Sequence, residues 1–77
     1  MELYFYEECE YCHAVFETIK ILEISDEFTF KDIRKNPDYK EELIGLTGNG
    51  TVPCIVNEQG PMKEAKDIQK YLVSQFN

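Results

Sequence analysis

Apolar and polar positions along this chain fall into segments whose period switches repeatedly between two and about 3.6 residues. Glu2 to Tyr6 is a short aromatic run without Gly or Pro, which predicts a strand. From about Cys9 to Glu23, Val15, Ile19 and Leu22 recur on one side, and Phe16 widens the stripe, so a helix with one apolar face is expected. Phe28 and Phe30 alternate with Thr29 and Lys31, the period of a half-buried second strand. Asn36-Pro37 then reads as a helix cap followed by proline at the first helical position. Tyr39, Leu43 and Leu46 supply the apolar face of this second helix, and either Gly45 or Gly48 can end it.

Gly48-Asn49-Gly50 lacks bulk and predicts a connection. Thr51 to Val56 reads as a strand entered through Pro53, Asn57 to Gly60 as a turn, and Pro61-Met62-Lys63 as a short edge strand, where proline is tolerated. Ile68, Tyr71, Leu72 and Phe76 mark an amphipathic terminal helix. The resulting order, β-α-β-α-β-β-α, predicts an α/β fold whose sheet is parallel in its first part and closes with a hairpin. No repeat, linker or low-complexity stretch interrupts residues 1–77, so one domain is expected.

Composition narrows the function classes. At 77 residues with 43% hydrophobic and 30% charged positions, the chain has the balance of a small globule and not of a disordered tail. A formal net charge of −7 argues against nucleic acid or an anionic membrane as partner, because like charges repel. No apolar stretch approaches the roughly 20 residues that span a bilayer. Met1 runs straight into the first strand and leaves no room for a signal peptide, so a cytoplasmic location, where thiols stay reduced, is expected. Three cysteines are an odd number and a poor basis for a disulfide framework.

Cys9-Glu10-Tyr11-Cys12 is therefore the candidate for chemistry. It follows a strand and opens a helix, where unpaired backbone N–H groups and the helix dipole favour a thiolate. The second thiol lies within about one helical turn, close enough to close a disulfide. Glu7, Glu8 and Glu10 suit the helix dipole but act against a thiolate at Cys9 and against anionic substrates. Each is a modest influence, about 1 kcal/mol for a unit charge at 4 Å in water. Taken singly, Glu7 and Glu8 read as solvated.

Cys54 shares strand parity with Val52 and Val56 and reads as core. Cys9 to His13 also spells the Cys-x-x-Cys-His of c-type haem attachment, but no export signal or apolar pocket accompanies it. Haem is not expected, and His13 reads as a partly exposed helix residue. Neither is zinc, since Cys54 and His13 lack zinc-site spacing.

The element order, Cys9-Glu10-Tyr11-Cys12, Thr51-Val52-Pro53 and the late Gly60…Asp67-Ile68 together resemble the glutaredoxin family of the thioredoxin fold, over essentially the whole chain. The family motif is usually Cys-Pro-Tyr-Cys, so Tyr11 matches and Glu10 departs. Before the last helix, Glu64-Ala65 is closer to the Glu-Ser pair of glutathione-transferase N-terminal domains, which holds the γ-glutamyl end of glutathione. Glu64 matches there, and Ala65 replaces the serine, losing a hydrogen bond worth about 1 kcal/mol.

The resemblance implies a thioredoxin-like, four-stranded mixed sheet with three helices. It implies Cys9 as nucleophile and Cys12 as resolving thiol. Tyr11, Thr51, Val52, Pro53, Glu64 and Ala65 would bind substrate or glutathione, with Pro53 in the cis form. Glutathione is then the expected reductant and no metal is expected. Disulfide-bearing proteins or glutathione mixed disulfides are the partners, a reductase or the glutathione pool recycles the chain, and it acts as a monomer. Two other classes stay open. Loss of the motif proline at Glu10 is compatible with a carrier of an iron–sulfur cluster bridged between two chains with glutathione. A non-catalytic glutathione-binding module is the other.

Overall fold

The structure is a computed structural model that describes residues 1–76. Strands β1 (Glu2–Phe5), β2 (Thr29–Asp32), β3 (Cys54–Asn57) and β4 (Gly60–Lys63) form one mixed sheet in the order β2-β1-β3-β4. β1 and β2 are parallel, and the crossover between them is helix α1 (Glu10–Leu22) followed by a 3₁₀ turn at Ser25–Glu27. β3 runs antiparallel to β1 and pairs with β4 as a hairpin. Helix α2 (Pro37–Thr47) joins β2 to β3, and α3 (Ala65–Phe76) ends the described chain. This is the expected four-stranded mixed sheet with three helices.

Strand periodicity divides the core in two. Leu3 and Ile55 are register partners and face the layer of α1 and α3, where Val15, Ile19, Ile24, Ile68 and Leu72 complete a buried cluster. One position on, the partners Tyr4 and Cys54 face the other side, with Ile33 and with Leu43 from α2. Cys54 is fully buried, as its parity predicts. Gln69 ties the two helices of the first layer together, donating to the Ala14 carbonyl at 3.1 Å and to Thr18 Oγ1 at 2.9 Å.

Helix ends follow their local chemistry. Asn36 Oδ1 accepts the Asp38 N–H at 3.0 Å, with Pro37 at the first helical position. Gly48 closes α2 in the left-handed region, φ 87°, and its N–H reaches the Ile44 carbonyl at 2.8 Å. Gly45 lies inside the helix. α1 ends on a left-handed residue that is not glycine, Glu23 at φ 56°.

Three expectations shift. β2 starts at Thr29, and Phe30 is 41% exposed because β2 is an outer strand; its ring packs against those of Phe5, Phe16 and Phe28. Leu46 is 47% exposed, since the last turn of α2 runs beyond the side chains that enclose Leu43. Thr51 to Pro53 stay outside β3: Pro53 has no N–H for a ladder, and the Thr51 N–H is spent on Asn49 Oδ1 at 3.1 Å. Among the described residues no helix is long and apolar enough to cross a membrane.

Candidate active site

Strand register gathers the candidate residues at one end of the sheet. Phe5, the last residue of β1, lies opposite Asp32, the last of β2, so the loops after both strands emerge side by side. Tyr4 pairs with Cys54 and Cys54 with Lys63, which brings Val52-Pro53 and Glu64-Ala65 to the same end. The Val52–Pro53 peptide bond is cis and Pro53 is buried.

Cys9 is the N-cap of α1. Its sulfur accepts the Cys12 N–H at 3.3 Å, taking up one of the donors that a helix start leaves unpaired. Cys9 retains 6% exposure, whereas Cys12 and Cys54 retain none, so Cys9 is the thiol with an opening to solvent. Burial, and next its hydrogen bond to the Cys9 sulfur, push the Cys12 thiol up to about 12. Burial likewise raises Cys54. The pair is thus asymmetric: an N-capping sulfur on a residue that is buried but for a trace of exposure, and a fully enclosed thiol held well above its ordinary value.

The acidic cluster departs from expectation. Glu7 and Glu8 are exposed but not merely solvated. Lys35 Nζ meets Glu7 Oε1 at 2.9 Å, and Arg34 Nη1 meets Glu8 Oε1 at 3.0 Å. The Arg34 guanidinium also lies 3.8 Å from the centroid of the Tyr6 ring. Asp32 Oδ1 accepts the N–H groups of Arg34 and Lys35 at 2.9 and 3.1 Å, fixing the turn that carries both cations. On the other side of the loop, His13 Nε2 donates to the Glu7 carbonyl. Glu10 has no cationic partner among the described residues. Sequence reading missed these pairs, although the parallel β1–β2 crossover it predicted places the Glu7-Glu8 and Arg34-Lys35 loops next to each other.

Tyr11, between the two cysteines in sequence and in the first turn of α1, has 71% of its surface exposed. Thr51 is exposed and Val52 half-buried. Glu64 is exposed and holds φ 71°, a left-handed conformation costly for a residue with a Cβ, and Ala65 begins α3. A second cluster, also unforeseen, lies under α2: the Tyr4 hydroxyl donates to Glu42 Oε1 at 3.0 Å, and Lys31 Nζ donates to the same oxygen at 2.8 Å. Burial and that bond raise Tyr4, and the same cluster lowers Glu42 and raises Lys31. It braces α2 against the sheet. Among the described residues no group of three or more His, Cys, Asp or Glu side chains is arranged to hold a metal ion.

Comparison with known proteins agrees with this architecture. The family model described as Glutaredoxin matches residues 1–60. No curated protein matches the chain. Among solved structures, a glutathione S-transferase domain-containing protein from Marinobacter aquaeolei VT8 superposes with a TM-score of 0.80 at 18% identity, over 100% of this chain and 39% of that one. Glutathione S-transferase 1-6 from Anopheles dirus species B gives 0.79 at 23% identity, over 99% of this chain and 36% of that one. The chain thus spans less than two fifths of the length of either structure, and at these identities the likeness is one of fold: the thioredoxin-like arrangement expected from the sequence.

Proposed function

The chain belongs to the glutaredoxin family, and from that premise we propose that it is a thiol–disulfide oxidoreductase working through Cys9. The observation that carries the reading is the asymmetry of the two thiols: Cys9 caps α1 and keeps a trace of exposure, whereas Cys12 has none and its thiol is pushed up to about 12. The Cys9 thiolate attacks one sulfur of a disulfide and forms a mixed disulfide, and the second sulfur departs as a thiolate that takes up a proton. In one route Cys12, after losing its proton, attacks the Cys9 sulfur and releases the bound half as a thiol; in the other, a glutathione thiolate attacks the sulfur of the bound half, which leaves as its disulfide with glutathione and frees the Cys9 thiolate. In the Cys12 route Cys9–Cys12 becomes the disulfide, and two electrons from glutathione or a reductase dithiol restore it.

Around this centre, Tyr11 forms one wall of the substrate groove, and the backbone of Val52, held by Pro53 and Thr51, pairs with an extended peptide. Glu64 and the backbone of Ala65 receive the amino end of glutathione. The left-handed Glu64 supports that assignment, because strained backbone clusters at ligand sites. Disulfide-bearing proteins and glutathione mixed disulfides in a reducing cytoplasm are the proposed substrates.

The test is a glutathione-coupled assay on a glutathione mixed disulfide. Cys9→Ser is expected to abolish turnover, while Cys12→Ser keeps a substantial part of it through the glutathione route. Full activity in Cys9→Ser, or loss in Cys12→Ser alone, would overturn the assignment.

A further inference from the structure

The ion pairs beside Cys9 have no part in the thiol chemistry, and their construction indicates what they do. Each bridges two loops: Glu7 and Glu8 follow β1, and Arg34 and Lys35 follow β2. Both partners are fixed at their roots. The turn carrying the cations is held by Asp32, Arg34 packs on Tyr6, and the Glu7 backbone is held by His13. The paired side chains are 59–71% exposed, so water reaches them and their contribution to stability is small. What they change is the field met by an approaching molecule. Arg34 and Lys35 are the cations whose ion pairs reach the loop just before Cys9, and both are occupied. Glu10, adjacent to Cys9, is left uncompensated in a chain of net charge −7.

We propose that Glu7 and Glu8 are specificity-determining residues: as internal partners of Lys35 and Arg34 they deny those cations to anionic disulfides, so the centre prefers disulfides that carry neutral or cationic groups beside the sulfur. The inference rests on the redox reading above and names the substrate class for that same site.

The test uses symmetric disulfides of similar size and different charge: cystamine (cationic), hydroxyethyl disulfide (neutral) and dithiodipropionate (anionic). The second-order rate constant of the reduced protein with each is divided by that of dithiothreitol with the same disulfide. The wild-type chain is expected to rank them cationic, neutral, anionic. The double variant Glu7→Gln/Glu8→Gln releases both cations and should raise the anionic-to-cationic ratio by about tenfold, the scale set by two unit charges a few ångström away in water. Arg34→Gln/Lys35→Gln should lower that ratio several-fold. In 1 M salt, where the screening length is about 3 Å, the differences should collapse. If both double variants change all three rates by one common factor, the charges act on Cys9 and not on the substrate, and the inference is overturned while the redox reading stands. Failure of Cys9 to react with any of the three overturns both.

Discussion

At the scale of single residues, the two thiols of one motif differ in setting: one caps a helix and the other is enclosed by it. Cys12 has no exposed surface and a thiol pushed up to about 12, chiefly by burial. Once Cys9 carries a mixed disulfide, Cys12 can attack only in its ionised fraction, which rises about tenfold per pH unit while the pH stays below its own value. Decay of a Cys9 mixed disulfide in the absence of external thiol should therefore accelerate steadily from pH 7 to 9. Mobility-shift quantification of the adduct at each pH measures this, and a rate already level at pH 7 would show that Cys12 ionises easily. The placement of both thiols between β1 and α1 was legible in the sequence, because the spacing and the strand-to-helix setting are local. The pairing of Glu7 and Glu8 was not, because Lys35 and Arg34 lie 28 and 26 positions away and meet them only once β1 and β2 pair.

At the scale of elements, helix termination by a left-handed residue occurs twice with different chemistry. Gly48 ends α2 at φ 87°, with nothing within 4 Å of where a Cβ would stand. Gly48→Ala therefore meets no clash, only the left-handed penalty, and should cost about 1 kcal/mol. Glu23 holds φ 56° at the end of α1, where Glu23→Gly should stabilise by up to about 1 kcal/mol. Urea unfolding of the two variants should move the midpoint in opposite directions, and movement in the same direction would contradict this account. Apolar periodicity, the aromatic run of β1 and the turn and proline signals around β3 and β4 located all three helices and all four strands, since those signals are local. Boundaries failed where tertiary geometry decides. Pro53 reads as strand entry until its missing N–H and the loop bond of Thr51 are considered. Leu46 and Phe30 match their periods yet lie at the margins of the layers, where the pattern continues but the covering neighbours do not.

For the whole molecule, the buried thiols link stability to alkaline pH. Cys12, Cys54 and Tyr4 all have values raised in the folded state, burial being the first cause of each. A raised value means that the stabilisation is complete below the unfolded value, roughly 8.5 for a thiol, and is lost as pH climbs through the folded one. For Cys12 that window runs from there to about 12. Each buried thiol should cost up to about 1.4 kcal/mol per pH unit within its window. Urea titrations between pH 8 and 11 should show the unfolding free energy falling, with a shallower fall in Cys12→Ser; equal slopes would contradict the assignment. The separation of core from rim bears on how such a protein diversifies. Glu7, Glu8, Arg34 and Lys35 stand on loops, mostly in water, and belong to neither buried cluster. Their replacement is nearly neutral for folding, so under the proposed function drift can rewrite the charges around an unchanged Cys9–Cys12 pair, and with them the disulfides it meets, without passing through an unfolded intermediate.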